Sequence, residues 1–293
     1  CGIIFERRLT MPLDGIQDKL INLNDNLDFK VVYEPTKMED HKYVVREDTG
    51  EYLGIVGKGF TCASHPAFFG AMEDVIRDNR EPSDLYGAKV TLKSARNNAW
   101  SQVDITLPNV SHVITTSKHQ TVINERIIGL HAIDGSASNQ AHFGAIDTYC
   151  SNGQITGDFS TIRKKNTSGF NIETFIWELK NSKSTFDARQ RYLQSMADTP
   201  LNVDGKTLLE SIIKSETLAK KMYELCCQEI SKRGKNVFAL YSAFTNYASY
   251  ADERNGFTLR NTGKDTVAQS MWAREQKVSQ WISSPQFKSL MAA

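Results

Sequence analysis

Within Arg126–Asp158, two histidines, three aspartates and one cysteine lie among residues that otherwise read as two buried strands. Polar groups at that density inside an apolar pattern mark either a site or a strained turn system. His131, Asp134, His142, Asp147 and Cys150 are of the types that hold zinc or another transition metal. Their spacings match no metal motif. Asp134-Gly135-Ser136 reads instead as a turn, because Asp closes Asx turns and Gly accepts positive φ. The two histidines are then expected as satisfied core or turn residues. The expectation is a site without metal or cofactor.

Cations offer a second chemistry. From Leu85 to His131, Lys89, Lys93, Arg96, Lys118 and Arg126 face only Asp104 and Glu125. Farther on, Arg163-Lys164-Lys165 is flanked by Thr161 and Thr167. Clustered Lys and Arg neutralise phosphates, which dominates nucleic-acid affinity. Tyr86 and Trp100 lie in or beside the basic strands, where an exposed ring could stack an unpaired base. The plainer alternatives are a solvated sheet face, a solvated interdomain loop and core aromatics. These observations make Lys89, Lys93, Arg96, Trp100, Lys118, Arg126, Arg163, Lys164 and Lys165 the candidate nucleic-acid-binding residues.

Composition bounds the rest. The chain has 293 residues and a formal net charge of +1, so it is not a globally basic binder. Charge is split, however: residues 1–150 carry 15 Lys+Arg against 20 Asp+Glu, and residues 151–293 carry 20 against 14. The five cysteines, an odd number with Cys226 and Cys227 adjacent, suit reduced thiols better than a disulfide framework. No apolar run is long enough to span a bilayer, and no secretory leader is visible. A cytoplasmic protein without membrane contact is expected. Gly54-Ile55-Val56-Gly57-Lys58-Gly59 lacks the spacing of a phosphate-binding loop and the hydroxyl residue after its lysine. That argues against an ATP-driven recombinase or helicase.

Periodicity places these residues on elements. Short strand-like runs occupy Phe29–Tyr33, Lys42–Arg46 and Tyr52–Phe60. Ser64, a capping residue, and Pro66 then open a helix that ends near Asn79. Further strands are expected at Leu85–Ser94, Ala99–Leu107, His112–Thr116 and Glu125–His131, with turns at Asn97-Asn98 and Pro108-Asn109. Ala141–Cys150 fits a strand or a short buried helix. Helical spacing follows over Ile172–Met196, Leu208–Lys232, Val237–Tyr250 and Thr266–Ile282, with Gly234 as a stop signal. Phe238, Tyr241, Phe244, Tyr247 and Tyr250 read as core packing. The fold class is α+β: a twisted antiparallel sheet domain with one early helix (1–168), then a mainly helical domain (169–293).

Several of these segments resemble one family. YLGIVGKGFTCASHPAFFGAMEDVI (Tyr52–Ile76) is similar to the strand-then-helix opening of the phage and plasmid family called domain of unknown function 932. The Asp134-Gly135-Ser136 turn, Cys150-Ser151-Asn152-Gly153 and the helix VFALYSAFTNYASY resemble its later segments. The resemblance covers roughly residues 50–260, and the first fifty lack the opening associated with the family. It implies a phage or mobile-element protein in a DNA-metabolism setting, and it carries over no catalytic residue. Cys1-Gly2-Ile3 also resembles the start of class II glutamine amidotransferases, whose N-terminal cysteine is the nucleophile, but their other signatures are not found.

The reading that follows is a non-enzymatic protein that binds single-stranded DNA and anneals complementary strands, forming a homo-oligomer. The alternatives are an interaction module acting on host machinery and, more remotely, an N-terminal-Cys or metal-dependent hydrolase.

Overall fold

The computed structural model describes residues 27–147, 152–154, 161–164, 184–250 and 264–292. An antiparallel sheet region with one early helix comes first, and the described chain after residue 184 is mostly helical. Contacts divide the chain into two compact units. The first holds residues up to Val110 and Ile128–Ala141; the second holds Ser111–Ile127 and the helices from Ser184 on. The expected boundary near Ser168 lies outside the described residues.

In the first unit, β1 (Val31–Pro35), β2 (His41–Arg46) and β3 (Tyr52–Gly57) form an antiparallel sheet. A bulge shifts the β2–β3 register between Val44 and Val45. Helix α1 (His65–Asp78) begins where the Ser64 side chain accepts the Ala67 N–H. Such a cap contributes about 1 kcal/mol. Phe68, Phe69, Met72, Val75 and Ile76 recur at helical spacing and are all buried. Gly129 lets this helix come close: a Cβ there would stand 2.5 Å from the Met72 sulfur and 2.9 Å from Val103. A one-turn helix, α2 (Pro82–Leu85), leads into β4 (Lys89–Ala95).

The second sheet has the order β4-β5-β6-β7-β8, with β9 also paired to β7. Its members are β5 (Trp100–Thr115), β6 (Gln120–Ala132), β7 (Asn139–Asp147), β8 (Asn152–Gln154) and β9 (Thr161–Lys164). The open end of the β5–β6 hairpin belongs to the first unit and its tip to the second. One expectation is corrected here and one open reading is resolved. Pro108-Asn109 is not a turn, because β5 runs straight through it. The β4 ladder ends at Lys89 opposite Thr106, so Pro108 lies beyond it, where β4 asks for no N–H. The segment left open at residue 141 is a strand, part of β7.

The second unit packs α3 (Ser184–Asp198), α4 (Gly205–Ile212), α5 (Glu216–Arg233), α6 (Val237–Tyr250), α7 (Lys264–Ile282) and α8 (Pro285–Ser289). The single helix expected over Leu208–Lys232 is in fact α4 and α5. Ser215 takes the Leu218 N–H and restarts the chain as a new helix. Gly234 ends α5 at φ +89°, and a Cβ there would meet the Ser117 hydroxyl at 2.4 Å. α6 is the hub: Val237, Phe238, Leu240, Tyr241, Ala243 and Phe244 are fully buried. Each large apolar side chain so buried contributes about 1.5–3 kcal/mol. The hairpin tip is clamped by Gln194, whose amide donates to the Thr115 carbonyl at 2.9 Å and accepts its N–H at 3.0 Å. The side chain thus mimics a neighbouring strand.

Candidate functional site

The β4–β5 register decides which cations share a surface. Lys89, Thr91 and Lys93 alternate along β4 and pair with Thr106, Asp104 and Gln102. These six occupy one face, because residues two apart on a strand point the same way. Val90 and Leu92 pair with Ile105 and Val103, which are buried in the core. Asp104 therefore sits between the two lysines on the outward face. β4 is the sheet's edge. Just before it stands Tyr86, 72% exposed, in a loop tied down where the Asn109 amide donates to the Ser83 and Tyr86 carbonyls.

The other candidates are placed differently. Arg96 stands in the β4–β5 turn and donates to Asp134 at 2.5 Å, so its guanidinium is already engaged. Trp100 is only 3% exposed and belongs to the core. Arg126 is buried and ion-paired to Glu275 at 3.1 Å. Neither Trp100 nor Arg126 presents a surface to a polymer. Lys118 lies at the exposed hairpin tip of the second unit, donating to the Ser231 carbonyl at 3.4 Å. Arg163 and Lys164 lie on β9, and Lys165 falls outside the described residues. In the first unit the fold thus brings together Tyr86, Lys89 and Lys93. Lys118 and Arg126 belong to the other unit.

The polar segment at residue 131 resolves into a turn system and a buried histidine pair. Arg96, Asn97 and Asn98 all have positive φ, at +56°, +54° and +65°. Left-handed backbone is disfavoured for any side-chain-bearing residue, least so for Asn. Each of the three is held: Arg96 by Asp134, Asn97 by Glu51 at 2.5 Å, and the Asn98 carbonyl by His65 Nε2 at 2.8 Å. Asp134 also accepts the Ser136 N–H at 2.9 Å, closing its own Asx turn. Gly54 has no Cβ to collide with the Asp134 carbonyl, which would lie 2.8 Å from one.

His65 Nδ1 faces His131 Nδ1 at 2.9 Å. A carbonyl can only accept, so the Asn98 contact puts the His65 proton on Nε2. His131 must then donate from Nδ1, which leaves its Nε2 as a bare lone pair. That atom is sealed from solvent without a hydrogen-bond partner. The ring stacks on Phe68 at 4.7 Å. Burial holds His65 down at about 4, against partial relief from the Asn98 carbonyl and Asp134. Burial, then the neighbouring His65, holds His131 well below the ordinary histidine range. Both rings are neutral at pH 7. His142 belongs to the other unit, edge-on to Trp272 at 4.6 Å. Among the described residues, no three His, Cys, Asp or Glu side chains converge as a metal site would require. Cys150 and Cys1 lie outside the described residues.

Sequence reasoning missed the charged core of the second unit. Glu125, Arg126, Arg189, Glu229, Arg233, Arg274 and Glu275 are all buried there. Arg233 donates to Glu229 at 2.8 Å within α5. Burial lowers the Arg189 guanidinium, opposed by Tyr241 and Glu125. Only the Glu229–Arg233 spacing of four residues was a readable signal. The outer face of the small sheet also went unread. The bulge turns Tyr52 and Ile55 to the same side, where they are 60% and 50% exposed beside Val32. Tyr52 crosses Tyr43 edge-on at 5.1 Å and donates to Glu34 at 2.9 Å.

A family model described as Domain of unknown function (DUF932) matches residues 52–286, most of the chain. Comparison with curated proteins and with solved structures finds no match. Among the described residues, no helix is long and apolar enough to cross a membrane. The chain belongs to the DUF932 family.

Proposed function

We propose that this DUF932 protein binds single-stranded nucleic acid along the outer face of β4. The observation that carries the reading is Tyr86, an exposed ring at the start of the edge strand that aligns Lys89 and Lys93 on one face. A ring that no core claims can stack on any base, and stacking of this kind is worth about 1–3 kcal/mol per base. Lysines on the same edge supply the phosphate contacts, which are indifferent to sequence. Lys118 and the Arg163–Lys165 run are further contacts in this reading. Asp104 between the lysines lowers the local potential, so tight binding needs those added cations. The protein would act in the cytoplasm of a bacterial host, as an oligomer that brings complementary strands together. The test is fluorescence anisotropy with a labelled oligothymidine and a duplex of equal length at two salt concentrations. Binding that favours the single strand and weakens in Tyr86→Ala and in Lys89→Ala/Lys93→Ala supports the reading. Absence of binding at low salt sinks it.

A second reading is an interaction module for a protein partner. Val32, Tyr52 and Ile55, exposed on one face of the small sheet, support it, since clustered apolar exposure marks interaction surfaces. It expects no nucleic-acid binding and a Tyr52→Ser/Ile55→Ser variant that loses a host partner but keeps its fold.

A further inference from the structure

The helical unit carries a cavity of about 530 Å³ where the α4–α5 connection meets α7 and the start of α8. Lys214 and Ser215 line it from the connection, Lys277, Gln280 and Trp281 from α7, and Gln286 from α8. Among the described residues, no aspartate or glutamate lines it. Lys214 and Lys277 are exposed and make no ion pair within the described protein. Lys277 rests its ammonium over the Trp281 ring at 5.5 Å, one helical turn away. Trp281 is 6% exposed and packs on Phe244 and Tyr247. Its indole N–H has no hydrogen bond among the described residues and is not sealed from solvent. A buried tryptophan normally spends that donor on a partner. The N-terminus of the 18-residue helix α5 opens at Ser215, adding the positive end of a helix dipole. Glu210 and Glu216 are the acids next to the cavity in sequence; Glu210 pairs with Lys206 at 3.9 Å and Glu216 is exposed in the first turn of α5.

Two ammonium groups outside any ion pair, an indole donor and a helix N-terminus meet at a space lined, among the described residues, by no acid. Cations without a facing carboxylate select an anion, and charge-assisted hydrogen bonds are the strong ones. The volume lies in the range of small-molecule sites and far exceeds a single phosphate. We infer that this cavity binds a phosphorylated small molecule of about mononucleotide size, its phosphate between Lys214 and Lys277 and its neutral part toward Gln280 and Gln286. The inference does not depend on the β4 face.

Isothermal titration of the full chain tests it, with AMP, ribose 5-phosphate, adenosine and inorganic phosphate as probes. AMP or ribose 5-phosphate should bind more tightly than inorganic phosphate, and adenosine should not bind. The Lys214→Gln/Lys277→Gln variant changes only exposed side chains, so it should keep the wild-type melting temperature and lose about tenfold or more in affinity. Lys89→Ala/Lys93→Ala should leave this binding unchanged. A 5′-phosphorylated trinucleotide distinguishes a strand end from a free metabolite: equal affinity to AMP assigns the former, weaker affinity the latter, and either retains the phosphate site. Failure of both organic phosphates to bind, adenosine binding as tightly as AMP, inorganic phosphate binding as tightly as either, or unchanged affinity in the double variant overturns it.

Discussion

Two buried clusters are tested by single side chains. Arg126 and Glu275 lie 149 residues apart in sequence, yet each is almost wholly buried against the other. Removing one member takes a buried opposite charge from the other, and breaking a buried pair in this way costs about 3–5 kcal/mol. Arg126→Ala should therefore unfold at markedly lower urea, while Arg126→Met/Glu275→Leu recovers most of the difference. A single variant as stable as wild type would show that the pair is not buried in solution. The histidine pair gives a pH effect of definite sign. Both rings have depressed affinities for a proton in the folded state, His65 at about 4. The unfolded chain takes up protons from about pH 6.5 downward, and the folded rings refuse them. Stability is thus full above about pH 6.5 and lost progressively as pH falls, by roughly 3 kcal/mol for His65 once pH reaches its folded value. Urea midpoints at about pH 7, 5.5 and 4.5 should fall in that order, and His65→Gln should flatten the decline. A midpoint that rises on acidification contradicts the assignment.

At the level of elements, legibility followed whether the signal was local. Helix α1 could be read from Ser64, Pro66 and the spacing of Phe68, Met72 and Val75, because cap and stripe lie within fourteen consecutive residues. Asn97-Asn98 was readable as a turn for the same reason. The contacts that hold it in left-handed backbone come from Glu51, His65 and Asp134 and were not. Pro108 misled because its tolerance depends on where β4 stops, a fact of register rather than of sequence. The α4–α5 break was missed since apolar spacing continues through it, and the decisive residue is a single serine cap. Ser215→Ala should accordingly cost about 1 kcal/mol and fray the start of α5. Loss of hydrogen-exchange protection confined to Thr217–Ala219 would show it, and uniform loss across α5 would speak against a local cap.

Across the whole molecule, charge is distributed where the net value hides it: the acidic excess of residues 1–150 offsets the basic excess of 151–293. Composition showed that asymmetry, but it could not tell a free cation from a spent one. Arg126 looked like a member of a basic stripe until a glutamate from α7 claimed it, and Arg96 until Asp134 did. The cations carried into the proposed reading are Lys89, Lys93 and Lys118, with the Arg163–Lys165 run. Each phosphate neutralised on a single strand contributes about 0.7 to the slope of log affinity against log salt. Six such contacts give a slope of about −4. Replacing Arg163, Lys164 and Lys165 by alanine should flatten it by about two, and Lys89→Ala/Lys93→Ala by a little over one. Arg126→Met/Glu275→Leu should leave it unchanged, because a guanidinium already neutralised by a buried carboxylate releases no counterion from DNA. That control separates the surface from the core. If the slope were instead as steep in the triple variant as in wild type, the run at 163–165 would not touch the strand. If Arg126→Met/Glu275→Leu alone flattened it, the hairpin would have to open to expose Arg126 when DNA binds.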